Sequence, residues 1–140
     1  LLAHSDGFVD RSIIQQIMDI NFESKKMNIE IDKTPSNNSF AKKIIVNLNR
    51  LTKSFEIQQA DAIVDLFDII EKLDLQIDIS EAQNIYYNKI YHRIGDIIVN
   101  NMESPKEKDI KFVKLLLEIG VRLNINVDFY KVKLDKLALA

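Results

Sequence analysis

The sequence predicts an all-α fold of five to six helices, arranged as an irregular bundle or as stacked helical hairpins. Two observations carry that prediction. Apolar residues recur every three or four positions through almost every segment, the period of a helix with one buried face. Three glycines and two prolines in 140 residues are too few for the tight turns of a β-rich chain. A hydrophobic fraction of 46% and a charged fraction of 29% place the chain among folded globular proteins. The length suits a single domain over residues 1–140.

The first helix is expected over Phe8 to Met27, with Ile13, Ile14, Ile17 and Met18 on one face and Ile20 or Asn21 at its edge. Asp32 to Ser39 interrupts the pattern, and Thr34-Pro35-Ser36-Asn37-Asn38-Ser39 has the composition of a loop. A second helix follows on the stripe Phe40, Ile44, Leu48, Leu51 and Phe55. The third is expected over Gln58 to Leu73, with Ala62, Ile63, Leu66, Phe67 and Ile70 inward. Asp61, Asp65, Asp68 and Lys72 fall on its opposite face, so the three aspartates read as a solvated surface and not as a cation site.

The fourth helix is expected from Asp78 to Asn101, with Asp78 and Glu81 forming a capping box. Its buried line is Ile79, Ala82, Tyr86, Ile90, Ile94 and Ile97. Ser104-Pro105-Lys106-Glu107 then offers a serine cap, a proline at the first helical position and a glutamate three after the cap. The fifth helix turns Phe112, Val113, Leu116, Ile119 and Leu123 inward. A shorter sixth is expected after Asp128, carrying Val132 and Leu137, with Val127 placed to staple to Val132, although Val127 to Leu134 also fits an extended segment.

A short pattern recurs between helices. Lys26-Met27-Asn28-Ile29-Glu30-Ile31-Asp32 is echoed by Lys72-Leu73-Asp74-Leu75-Gln76-Ile77-Asp78 and by Arg122-Leu123-Asn124-Ile125-Asn126-Val127-Asp128. In each copy a basic and an apolar residue close a helix, and Asn or Asp accepts a left-handed turn. Alternating apolar residues then pin the link to the core. The pattern fits either a helical-hairpin repeat or convergence of helix connections on the same chemistry.

Several function classes fall away. A net charge of −2 argues against duplex DNA or an anionic membrane as partner. The absence of cysteine excludes disulfides, zinc–thiolate sites and thiol nucleophiles, and suits a cytoplasmic setting. No apolar run reaches the roughly 18 residues of a membrane span. The start at Leu1-Leu2-Ala3 reads as a piece of a longer polypeptide. His4 and His92 pair with no serine motif, and Gly7, Gly95 and Gly120 sit in no phosphate-binding loop. No catalytic residue, metal ligand or cofactor is therefore expected. Lys42, Lys43, Arg50 and Lys53 make the second helix mildly basic without forming a known nucleic-acid module. Asn37-Asn38-Ser39 matches a glycosylation triplet.

The fourth helix carries the candidate site. Gln83 falls within its buried face, where an amide must be satisfied by a neighbouring helix end or a ligand. Tyr87 lies at the edge of that face, with Asn84 and Tyr91 further toward solvent. Amides and tyrosines suit a sugar, whose ring stacks on an aromatic face while its hydroxyls meet amides.

The run Asp78-Ile79-Ser80-Glu81-Ala82-Gln83-Asn84-Ile85-Tyr86-Tyr87, and more loosely Leu115-Leu116-Leu117-Glu118-Ile119-Gly120-Val121-Arg122-Leu123, resembles the C-terminal helical domain of unknown function in some glycoside hydrolase family 57 proteins. The sharp likeness covers about ten residues. It implies an accessory domain that packs on a catalytic barrel of the same polypeptide and lines a carbohydrate cleft. Gln83, Asn84 and Tyr87 would be its ligand or domain-interface residues, and the catalytic carboxylates would lie outside this chain. The alternative is a stand-alone helical protein–protein interaction module.

Overall fold

The structure, a computed structural model, describes residues 11–27 and 32–139. Expectations on His4, on Phe8 to Asp10 and on Asn28 to Ile31 lie outside these residues. The described residues form helices joined by short links, with no strand: α1 (Arg11–Met27), α2 (Thr34–Ser54), α3 (Ile57–Lys72), α4 (Ser80–Ile85), a π-helical turn (Tyr86–Ile90), α5 (Tyr91–Asn100), α6 (Glu107–Arg122) and α7 (Asp128–Leu139). Because α4, the π-turn and α5 run on without a break, these segments make six rods.

The rods alternate in two layers. The hairpin α2–α3 packs on the hairpin made by the α4–α5 rod and α6, and α7 closes against α5 and α6. α1 flanks α3 and α2 across a groove lined by Ile14, Met18, Asn47 and Leu66, with Ile14 and Ile17 half-buried against the core.

The connections explain the stacking. Asp74 and Asn124 take left-handed φ values of 52° and 57°. Around each, two crossed backbone bonds form. Leu75 N donates to Ile70 O at 3.0 Å and Asp74 N to Glu71 O at 3.1 Å; Ile125 N donates to Gly120 O at 2.9 Å and Asn124 N to Val121 O at 3.0 Å. Both are Schellman closures of the same register. The carbonyls left over are claimed from outside: Lys33 Nζ donates to Leu73 O at 3.1 Å, and Gln83 Nε2 to Leu123 O at 2.8 Å. Each link then opens the next helix with the same side-chain turn. Asp32, Asp78 and Asn126 accept the backbone N–H two residues on, from Thr34, Ser80 and Asp128. Counted from these starts, the seventh residues Phe40, Tyr86 and Leu134 are all buried. The recurrence is thus structural as well as sequential.

Several expectations are corrected. The segment Thr34 to Ser39 is the start of α2 and not a loop, because Pro35 is tolerated in a first turn and Asp32 caps it. Its glycosylation triplet is therefore helical, and Asn37 Oδ1 accepts Gln76 N at 3.1 Å. Ala62 is exposed; Ala60 takes the inward place beside Ile63. Asp68 is no bare surface carboxylate, for Arg122 Nη2 reaches it at 2.6 Å while Nε meets Glu118 at 3.1 Å, tying α6 to α3. Asp78 caps through Ser80 N and Oγ, at 2.9 and 2.7 Å, and not through Glu81. Ser104 caps nothing: the buried Asn101 folds over the start of α6, accepting Lys106 N at 2.7 Å and donating to Asp109 at 3.1 Å. Val132 is exposed and forms no staple with the buried Val127.

The buried line of the fourth rod is Ala82, Tyr86, Ile90, Ile94 and Ile98, with Ile97 only half-buried. An α-helix turns about 100° per residue, so a repeat of four drifts about 40° each time and leaves the face within a few turns. The π-turn absorbs the drift by accommodating one extra residue, with Tyr91 N donating to Tyr86 O five residues back. Tyr86 is thereby held inside, donating its hydroxyl to Leu116 O at 2.7 Å. Only glycine fits opposite: a Cβ on Gly120 would stand 2.6 Å from that hydroxyl and 2.7 Å from Val127.

Two predictions follow from this packing. Gly120→Ala gains up to about 1 kcal/mol of helix propensity but overpacks the site by about 1–3 kcal/mol. Denaturant unfolding should therefore show a net loss, and the double variant Gly120→Ala/Tyr86→Phe should lose less than the two single changes summed; strict additivity would deny the clash. The cap bonds to Thr34 and Ser80 hold the Asp32 and Asp78 carboxyls below the ordinary aspartate range. A depressed folded-state value stabilises above the unfolded one, near pH 4, and that contribution is lost as pH falls through the lower value. The melting-temperature gap between parent and Asp32→Asn/Asp78→Asn should accordingly narrow from pH 6 to pH 3.

Candidate functional site

The three sequence-predicted positions have different roles. Gln83 is half-buried and spends its amide N–H on the Leu123 carbonyl at the end of α6. It braces a helix end, one of the two readings open from sequence. Asn84 is exposed on α4, and Tyr87 is 54% exposed at the π-turn. Asn84 and Tyr87 are both exposed, while Gln83 is half-buried with its amide N–H committed to α6.

Tyr87 does not stand alone. Its ring stacks on Tyr91, with centroids 5.5 Å apart at 27°. Tyr91 in turn meets Tyr130 of α7 at 4.8 Å, and Tyr130 meets Phe129 at 5.4 Å. His92 closes on Tyr87 and Tyr91 at 6.1 and 5.8 Å. The cluster grades from exposed Tyr87, His92 and Phe129, through half-buried Tyr91, to buried Tyr130. Tyr130 lies so close to α5 that a Cβ on Gly95 would be 3.1 Å from its hydroxyl. Burial, then the neighbouring Tyr91 and Asp96, raise the Tyr130 phenol above its ordinary range; burial raises Tyr86 further still. Both hydroxyls stay protonated and neutral across the physiological range.

The π-turn is what assembles the cluster. By keeping Tyr86 inside it sets Tyr87 outside and brings Tyr91 round to α7. Sequence reading missed Tyr91 and Tyr130 as partners because it treated the rod as one regular α-helix. The signal was present: the unbroken four-residue spacing Ala82-Tyr86-Ile90-Ile94-Ile98 is incompatible with a regular helix of that length.

Below the cluster α5 clamps the end of α2. Arg93 Nη1 donates to Thr52 O at 2.8 Å, and its guanidinium lies 3.6 Å over the ring of Phe55. Phe55 holds a left-handed φ of 49° and packs edge-on against Phe112 at 4.8 Å. A groove of about 510 Å³ opens beside this clamp and another of about 830 Å³ between α1 and α3; Gln83, Asn84 and Tyr87 line neither.

Among the described residues no group of three or more His, Asp or Glu is placed to hold a metal ion, and no helix is long and apolar enough to cross a membrane. Of the basic residues of α2, Lys43 is buried and Arg50 half-buried, which leaves Lys42 and Lys53 exposed. Comparison with protein-family models, with curated proteins and with solved structures finds no match to this chain. The resemblance of Asp78 to Tyr87, and more loosely of Leu115 to Leu123, rests on those residues alone.

The roles assigned here separate by mutation. Gln83→Ala leaves the Leu123 carbonyl without its donor and should cost about 1 kcal/mol. Asp65→Ala, on an exposed helix face, should stay within about 0.5 kcal/mol. Equal effects in urea unfolding would contradict the brace.

Proposed function

We propose that this chain is a helical interaction module that meets a partner protein through the outward face of α4, the π-turn and α7. The observation that carries the reading is a change of chemistry at equivalent outward positions. The second residues of the rods opening at Thr34, Ser80 and Asp128 are Pro35, Glu81 and Phe129, and the fifth are Asn38, Asn84 and Val132; all are exposed. The first two rods are polar or small there. α7 offers an aromatic ring and a branched aliphatic, at 62% and 55% exposure, joined to Tyr87 through touching rings. Tyrosine and phenylalanine held by packing present large contact area at small entropic cost, the property of interface anchors.

The intact chain should capture a partner that the Tyr87→Ser/Phe129→Ser variant, folded by circular dichroism, captures at least about tenfold more weakly, a loss of roughly 1.4 kcal/mol or more. Equal capture by both would remove the reading.

The stacked Tyr87–Tyr91 pair beside Asn84 favours a second reading: an accessory domain of a glycoside hydrolase family 57-like polypeptide, packed on its catalytic domain and offering this face to carbohydrate. Titration with a soluble α-glucan oligosaccharide should then shift tyrosine ring resonances saturably in the parent and not in Tyr87→Ala. Unshifted resonances in the parent would sink it.

A further inference from the structure

The charges of α7 are sorted between its two exposed flanks. Phe129 and Lys133, like Val132 and Lys136, stand four residues apart, while Phe129 and Val132, like Lys133 and Lys136, stand three apart. All four are exposed. That spacing puts them side by side on one flank of the helix. Tyr130, Leu134 and Leu137 form the buried side between the flanks. The other flank takes Asp128, Lys131 and Asp135, again at three- and four-residue spacing, so two carboxylates bracket a single lysine there. The flank that carries the exposed phenylalanine and valine therefore holds two cations and neither of the aspartates of α7.

Ring contacts tie this flank to the tyrosines of the neighbouring rod. Lys133 Nζ lies 4.6 Å from the centroid of the Phe129 ring. From Phe129 the contacts run through Tyr130 and Tyr91 to Tyr87. Arg122 is spent on Asp68, Glu71 and Glu118, whereas Lys133 and Lys136 form no ion pair among the described residues. The rod over 80–100 is balanced, with Lys89 and Arg93 against Glu81 and Asp96. The sign of the whole face is thus set by α7, and it is positive.

We infer that the segment this face takes up is an acidic peptide, which sets carboxylates against Lys133 and Lys136 and an apolar side chain against Phe129 and Val132. The inference rests on the interaction-module reading and adds the charge of the partner to it. Rings at the centre supply contact area, and cations beside them select the partner and speed its encounter. Nucleic acid and anionic membranes are the poorer fit. Two lysines on a chain of net charge −2 neutralise few phosphates.

NMR titration of the full chain with two synthetic peptides tests the inference. Both carry leucine at the same positions, one with glutamate between the leucines and the other with lysine. The glutamate peptide should shift the Tyr87 and Phe129 ring resonances saturably and bind about fivefold more tightly than the lysine peptide, the size that two exposed ion pairs reach. Raising the salt from about 0.05 M to about 0.5 M should shrink that preference, because exposed charges are screened. Lys133→Glu/Lys136→Glu, at exposed positions, should reverse the preference, and Lys131→Glu, on the other flank, should keep it. Equal binding of the two peptides overturns the acidic partner and leaves the aromatic contact face standing. So does a Lys133→Glu/Lys136→Glu variant, folded by circular dichroism, that still prefers glutamate. Rings unmoved by either peptide also overturn it, and partner capture by Tyr87→Ser/Phe129→Ser then decides separately whether the face meets protein at all. Rings that move only with a single-stranded oligonucleotide, with phosphatidylserine vesicles or with rising concentration of the chain itself would give the face to a different occupant and refute the inference.

Discussion

The rod running from residue 80 to residue 100 has to serve two neighbours at once, and its twist decides whether it can. It must bury Ala82, Tyr86, Ile90, Ile94 and Ile98 against α2 at one end and α6 at the other. A regular helix carries residues at that spacing about 160° around its axis over the same length. The π-turn removes the conflict, and it is placed where Tyr86 enters the core. Its consequences reach in both directions. Inward, the Tyr86 hydroxyl finds the Leu116 carbonyl and obliges position 120 to be glycine. Outward, the same turn exposes Tyr87 and rotates Tyr91 toward α7, so a packing requirement and a surface feature have one cause. π-turns inside α-helices frequently mark functional positions, and this one has a mechanical reason to do so.

Helix ends carry the second constraint. A helix leaves four carbonyls unbonded at its C-terminus, and burying them unpaired is costly. The chain solves this twice in the same way, with a left-handed Asp74 or Asn124 closing two crossed bonds and a distant side chain taking the remaining leucine carbonyl. Lys33 and Gln83 do equivalent work although one is a cation ahead of α2 and the other an amide inside α4. Nature of the donor matters less than its reach. Arg122 adds an ion pair across the same junction, partly exposed, and fixes orientation more than it adds stability.

Legibility in the sequence followed the physics closely. The apolar stripes of α2, α3 and α6 were readable because they repeat at helical spacing, and the links because Asn and Asp are the side chains that tolerate a left-handed backbone. What failed did so for local reasons. Thr34 to Ser39 looked like a loop because its polar residues favour turns, yet one aspartate cap and a first-turn proline suffice to start a helix there. Ser104 looked like a cap because its motif is complete, but Asn101 reaches the same helix start from within the core. Gln83 was placed on the right face, and its partner, forty residues away, follows only from tertiary packing. Tyr130 was invisible as a site residue because its ring contact crosses between rods.

The recurring links and the surface together separate positions that packing fixes from positions that it leaves free. Positions seven residues into each rod, Phe40, Tyr86 and Leu134, stay apolar because the stack depends on them. The outward second and fifth positions carry no packing duty, so their chemistry is free to vary, and it moves from proline and asparagine in α2 to phenylalanine and valine in α7. Large apolar side chains at positions that stability does not require are unfavourable for solubility. Their placement on one face, keyed by ring contacts to Tyr87, is the feature on which the proposed partner contact rests.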